Sequence, residues 1–142
     1  MKIDSIKDGI VLDHIKAGKS MDIYKYLGLD KLDCSVAILK NVPSSKMGKK
    51  DIIKIANHFD LNLDVLGYID PNITVCFIKN REIVQKKHVE LPEKIVNIIR
   101  CKNPRCITSV EQEIDHIFKL TDPEHRVYRC IYCESRKGSY FK

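Results

Sequence analysis

The spacing of four cysteines constrains this chain most: Cys101-x4-Cys106 and Cys130-x2-Cys133, with 23 residues between the two pairs. Each pair is close enough for one tight turn to aim two sulfurs at a common point. Four thiolates around one Zn2+ then replace the hydrophobic core that a tail this short cannot build. Four sulfurs fill a tetrahedral shell and leave no position for water, so the spacing predicts a structural metal rather than a catalytic one. Disulfides or free thiols are the competing reading. Paired spacing disfavours both, as does the absence of an apolar stretch after Met1 and Lys2 that would read as a secretory signal. A cytoplasmic location is the expectation.

The cysteines also divide the chain. The first 90 of its 142 residues hold only Cys34 and Cys76, and each is expected as a buried thiol in an apolar strand. Pro92, in Val89-Glu90-Leu91-Pro92-Glu93-Lys94, interrupts any continuing strand. The boundary therefore falls there, giving domains over 1–92 and 93–142. No apolar run is long enough to span a bilayer.

In the front part, strand and helix patterns alternate. Gly9–Ile15 is short and β-branched and predicts a strand. Ser20 is placed as the N-cap of a helix that runs through Tyr24, Leu27 and Leu29 and has Gly28 near its end. Cys34–Leu39 reads as a buried strand, Pro43-Ser44-Ser45 with Gly48 as a loop, and Lys50–Ala56 as strand or helix. Asn62–Ile69 fits a helix that ends before Pro71. Ile73–Ile78 and Glu82–Val84 flank Asn80-Arg81 as a hairpin. The order β-α-β-β-α-β-β predicts an α+β fold. It is a ferredoxin-like antiparallel sheet with two helices and an extra strand, followed by a small zinc-ribbon-like (rubredoxin-like) β domain.

The net charge is +6 before any metal, which suits an anionic partner without naming one. Lys50 and Lys54 share a face on a strand and nearly so on a helix. With Lys46 and Lys49 nearby, and Lys86 placed after the last strand of the front domain, they form either a solvated basic edge or a seat for phosphate. His58, His88, His116 and His125 lack ligand-like spacing and read as surface residues.

Several segments together resemble one family, the regulatory chain of aspartate carbamoyltransferase, an enzyme of pyrimidine biosynthesis. They are Ile6-Lys7-x-Gly9-x-Val11-x-Asp13-His14-Ile15, Pro43-Ser44-x-x-Met47-Gly48-x-Lys50-Asp51-x-Ile53-Lys54-Ile55, Leu91-Pro92-Glu93, and the four cysteines with Tyr132 and Glu134. The resemblance spans about Ile3 to Tyr140. It implies a non-catalytic chain with an allosteric nucleotide site in the front domain, where CTP inhibits, ATP activates and UTP can act with CTP.

Carried over by position, Ile3, Asp4, Ile6 and Lys7 would form the base end. Asp13 and Lys54 would meet the base or ribose, and His14, Lys50 and Lys86 would face the triphosphate. Ile78, Arg81 and Ile83 would line the sugar region. The resemblance further implies that the zinc domain docks on the catalytic chain, with Asn103, Arg105 and Glu134 as contacts, and that the front domain pairs with a second copy. Asp4, Arg81 and Arg105 stand where the best-known member has glutamate, tyrosine and asparagine. A zinc-ribbon nucleic-acid-binding module is the alternative. It fits the charge, but the front strands offer few aromatic side chains on which bases could stack.

Overall fold

The computed structural model describes residues 6–136 and, for the backbone, 138–140. The chain forms two compact units, 1–90 and 91–142.

The front unit runs β1 (Gly9–Lys16), α1 (Ser20–Tyr26), a 3-10 turn at Leu29–Lys31, β2 (Val36–Ser44), β3 (Gly48–Ile55), α2 (Leu63–Ile69), β4 (Thr74–Lys79) and β5 (Glu82–His88). The strands make one sheet in the order β2-β3-β1-β4-β5, with every pairing antiparallel. Alternation of side chains along the strands puts Ile10, Leu12, Ile53, Ile55 and Val75 on one face, all at 0% exposure. Ile23 of α1 and Leu66 of α2 are equally buried, and the two helices pack against one another, with α1 also against β3.

Local chemistry sets the ends of these elements. The Asn62 side chain accepts from the backbone N–H groups of Asp64 and Val65 and caps α2. Gly28, at φ +68, takes the left-handed conformation that ends α1. Gly9, at φ +151, is needed for close approach: a Cβ there would lie 2.0 Å from the Ile55 carbonyl oxygen.

Lys50–Ile55 is strand, not helix, because Asp51, Ile53 and Ile55 bury alternately against the helix side. Three local expectations are corrected. Ser20 is the first helical residue rather than the cap, and its hydroxyl donates to Asp51 Oδ2 at 2.6 Å. Pro43 and Ser44 continue β2, which is possible because an edge strand tolerates a residue without an N–H. Cys34 precedes that strand and is half-buried.

The fully buried Asp51 carboxylate joins three segments. Oδ2 accepts from the N–H of Gly18 (3.0 Å) and of Ser20 (3.4 Å) as well as from the Ser20 hydroxyl, and Oδ1 accepts from Asn41 N–H (3.0 Å). Asn41, at φ +58, lies where the β2–β3 register shifts, so one acid holds both the bulge and the start of α1. Asp70 acts similarly, accepting from Lys16 N–H and Asn72 N–H.

The rear unit carries β6 (Lys94–Val96), β7 (Ile99–Cys101), α3 (Ile107–Val110), β8 (Ile117–Asp122), β9 (Val127–Cys130) and β10 (Gly138–Tyr140). β6, β8 and β9 form one antiparallel sheet, and β7 pairs with β10. Its apolar core is small: Ile95, Ile98, Ile99, Phe118 and Tyr128. Three cysteines are buried with it.

The metal centre and the lysine-bearing face

Cys101 ends β7, Cys106 precedes α3, Cys130 ends β9 and Cys133 lies in the turn after it. Their four sulfurs all lie within 4.8 Å of one another, and the Cys101–Cys133 and Cys106–Cys130 pairs are 3.6 Å apart. A disulfide requires about 2.05 Å, so these are not disulfides. Four sulfurs about 2.3 Å from a tetrahedral centre would lie roughly 3.8 Å apart, so the arrangement fits one zinc ion.

Without a cation the surroundings treat the thiols unequally. Burial and the neighbouring thiols push Cys101 up to about 12, although the Asn103 N–H opposes this. At Cys133 burial also raises the value, but hydrogen bonds from the Ser135 backbone and the Asn103 side chain outweigh it and bring the thiol down to about 7. Such a cluster cannot hold four anions without a cation, and a dication removes the conflict. The zinc is structural: all four positions are taken by sulfur, and the ion replaces core in a unit that has little.

Hydrogen bonds around the ligands fix the loops. The Thr108 hydroxyl donates to Cys106 Sγ at 3.0 Å. The Asn103 carbonyl accepts from Cys106 N–H and from the Ser109 hydroxyl, and its side-chain oxygen accepts from Arg105 N–H. Glu134, at φ +61, closes the other turn by donating its N–H to the Cys130 carbonyl. Its side chain is exposed, as is that of Arg105. His116 corrects its expected place on the surface. It is half-buried, and its Nδ1 accepts from Cys101 N–H at 3.0 Å. Burial and the nearby Arg100 charge hold its pKa below the usual histidine value, consistent with that acceptor role.

In the front unit, the face away from the helices carries the predicted polar residues. Ala37, Lys54, Val11, Cys76 and Lys86 stand opposite one another across all five strands. One step along, Asp13 opposes Thr74, which opposes His88. Lys50 reaches over from β3 and pairs with Asp13 at 2.9 Å. Burial alone would raise the Asp13 pKa. The Lys50 ammonium and the His14 N–H, 2.6 Å away, more than offset this and hold the carboxyl below its usual range.

His14 takes φ +59 at the β1 bulge, where the β1–β3 register shifts. Its buried Nδ1 has no hydrogen-bond partner among the described residues. It lines a cavity of about 230 Å³ with Lys46, Met47 and Asn72. At the opposite end of β1, Gly9 pairs with Ile78, which pairs with Ile83. The Arg81 N–H donates to the Lys7 carbonyl at 2.8 Å, so the β4–β5 turn adjoins the segment containing Ile6 and Lys7. Ile3 and Asp4 lie outside the described residues.

The structure thus gathers Asp13, Lys50, Lys54 and Lys86 on one face, and Ile78, Arg81, Ile83 and Lys7 at one end of it. The sequence reading did not place Cys76 on this face. It is buried, as an apolar strand predicts, yet it stands between Val11 and Lys86 on the lysine-bearing side. Counting alternation from Thr74 would have placed it there.

No helix among the described residues is long and apolar enough to cross a membrane. These features define a two-unit binding protein that uses its metal as a staple, not as a reaction centre. Comparison with known proteins refines this class. Residues 1–90 match the family described as aspartate carbamoyltransferase regulatory chain, allosteric domain, and residues 93–138 match its metal binding domain. The aspartate carbamoyltransferase regulatory chain of Clostridium tetani is 54% identical over 135 residues, covering 94% of each chain. That of Clostridium botulinum (strain Hall) is 54% identical over 134 residues, covering 94% of this chain and 92% of its own. That of Bifidobacterium longum is 42% identical over 134 residues, covering 94% and 96%. The chain belongs to the family of aspartate carbamoyltransferase regulatory chains. These relatives are regulatory rather than catalytic chains, in agreement with the non-catalytic reading of the sequence.

Proposed function

We propose that the front unit senses nucleoside triphosphates on its helix-free face and that the zinc unit docks on the aspartate carbamoyltransferase catalytic chain. The observation that carries the first half is the gathering of Lys50, Lys54 and Lys86 around Asp13 on one side of the sheet. Lysines can meet a polyphosphate through charge-assisted hydrogen bonds, and Asp13 can accept from ribose or base. In this reading His14, with its unpartnered Nδ1, faces the phosphates together with Lys50 and Lys86. Ile3, Asp4, Ile6 and Lys7 form the base end, and Ile78, Arg81 and Ile83 wall the sugar. CTP, ATP and UTP are the ligands to try first.

The sheet order β2-β3-β1-β4 with two helices supports a ferredoxin-like core to which β5 is added. The rear unit is read as a rubredoxin-like zinc domain beginning after Pro92. Apolar side chains on the cysteine loops support its docking role: Ile107, Val110, Ile131 and Tyr132 are 41–67% exposed. Asn103, Arg105 and Glu134 would add polar contacts from the same loops. The front unit pairs with a second copy of itself, and the assembly works in the cytoplasm. Nucleotide binding shifts the assembly between two arrangements by the difference in its affinity for them, typically about 1–3 kcal/mol.

Titration calorimetry with CTP, ATP and UTP, paired with capture of the catalytic chain, tests both halves. Lys50→Ala is expected to weaken triphosphate binding and leave capture intact. Cys106→Ala, or a zinc chelator on the native chain, is expected to abolish capture. Normal capture by a zinc-free Cys106→Ala chain would refute the division of labour.

A further inference from the structure

We propose that His58 is a positioning residue for the base and sugar end of the nucleotide site, acting through the Ile78 carbonyl. This rests on the nucleotide reading above. His58 lies just past the end of β3, in a loop that the sequence marks only as surface.

The ladder is interrupted near the proposed base end. Between Phe77 and Ile78 the β4–β5 register slips: Phe77 opposes Gln85 while Ile78 opposes Ile83, leaving Val84 as an extra residue. A bulge of this kind interrupts the ladder and lets the strand bend. β1 begins opposite this point, at Gly9. Ile78 still pairs with Ile83 and with Gly9, but the break beside it leaves room for a further contact to fix this end of the sheet.

His58 supplies it. Because Gly9 has no side chain, the segment after β3 runs close against it: a Cβ there would lie 3.0 Å from Asn57 N. From this position the His58 ring reaches across 20 residues of sequence, and its Nε2 lies 3.0 Å from the Ile78 carbonyl oxygen. A carbonyl only accepts, so Nε2 carries the proton and donates. The His58 backbone is itself held by the Asn57 side chain, which accepts its N–H at 2.9 Å. Two further ties complete the end of the sheet: Arg81 N–H to the Lys7 carbonyl, and Asn80 N–H to Asp8 Oδ1 at 3.1 Å. These two join the turn to the segment before β1. His58 alone among the three joins it to the β3–α2 loop. Asp13 on β1, Lys50 and Lys54 on β3 and Lys86 on β5 make no part of this contact.

His58 is exposed, so replacing it should leave the fold intact. The test uses the zinc-loaded full chain and calorimetry with CTP, ATP and inorganic triphosphate. His58→Ala is expected to weaken both nucleotides about three- to tenfold, the worth of one hydrogen bond, while inorganic triphosphate binds within about twofold of wild type. His58→Gln, whose amide can donate to the same carbonyl, should restore nucleotide affinity. Long-range 1H–15N spectra of the wild-type ring should show the proton fixed on Nε2. An equal loss for all three ligands, no loss for the nucleotides, or failure of His58→Gln to rescue would overturn the proposal. A wild-type chain that binds inorganic triphosphate no worse than CTP or ATP would overturn it as well, because no base end would then be in use. A wild-type chain that binds none of the three would fail the nucleotide reading itself.

Discussion

Removing the Asp51 carboxylate should unfold the front unit well before any loss of the lysines would. The side chain is fully buried and receives four hydrogen bonds, three from backbone amides and one from the Ser20 hydroxyl. Asp51→Ala leaves those donors facing a void. An unsatisfied buried donor costs about 1–3 kcal/mol, but inward relaxation and entering water recover part of it, so about 3–5 kcal/mol is expected in total. With an unfolding entropy of about 2.1 cal/mol/K per residue, the front unit should lose about 5 °C of Tm per kcal/mol, hence about 15–25 °C.

Thermal unfolding of the zinc-loaded chain, followed by circular dichroism, measures this directly. Ser20→Ala, which removes only the hydroxyl, should cost about 1–2 kcal/mol. The pH dependence gives a second handle. The hydrogen bonds from Ser20, Asn41 and Gly18 outweigh the effect of burial and hold the Asp51 pKa below its ordinary 3.8. A depressed folded-state pKa contributes stability that is present above the unfolded value and lost as pH falls through the folded one. The gap between wild type and Asp51→Ala should therefore be full above about pH 4 and shrink only below it. A Tm shift smaller than about 5 °C, or a gap that widens on acidification, would refute the reasoning.

Two further substitutions probe the sites. Asp13→Asn frees Lys50 from its ion pair and removes a negative charge from the proposed phosphate seat. Inorganic triphosphate should bind about three- to tenfold tighter by calorimetry, and weaker binding would count against that seat. Thr108→Val removes the hydroxyl that donates to Cys106 Sγ. Zinc affinity, measured by competition with a chromogenic chelator, should fall about tenfold while the stoichiometry stays at one.

The metal site was legible in full because two tight turns and a tetrahedral ion leave the spacing little freedom. The succession of strands and helices along the front unit was legible apart from Lys50–Ala56, which read as strand or helix: β-branched runs and the Asn80-Arg81 turn are local signals. Contacts distant in sequence were not. Nothing near Ser20 reveals that its hydroxyl serves Asp51 rather than its own helix end, because the two residues meet only when β3 folds beside the β1–α1 loop. His116 looked like a surface residue for the same reason, since the N–H it accepts belongs to Cys101. Pro43 read as a breaker because the sequence does not show that β2 is an edge. The lysine spacing alone also did not reveal that Lys54 and Lys86 share one face of the sheet or that Lys50 turns toward Asp13, because those placements depend on pairing between distant strands.

Every residue of β5 is exposed, and its backbone pairs with β4 alone. No buried side chain anchors it, so opening this strand costs little more than its hydrogen-bond ladder. Its amides should exchange with solvent sooner than those of β1, which has strands on both sides. Lys86 and Ile83 ride on this lightly held strand. Whatever engages them ties an exposed edge to the rest of the sheet, and occupancy can then be followed amide by amide as slowed deuterium uptake along residues 82–88.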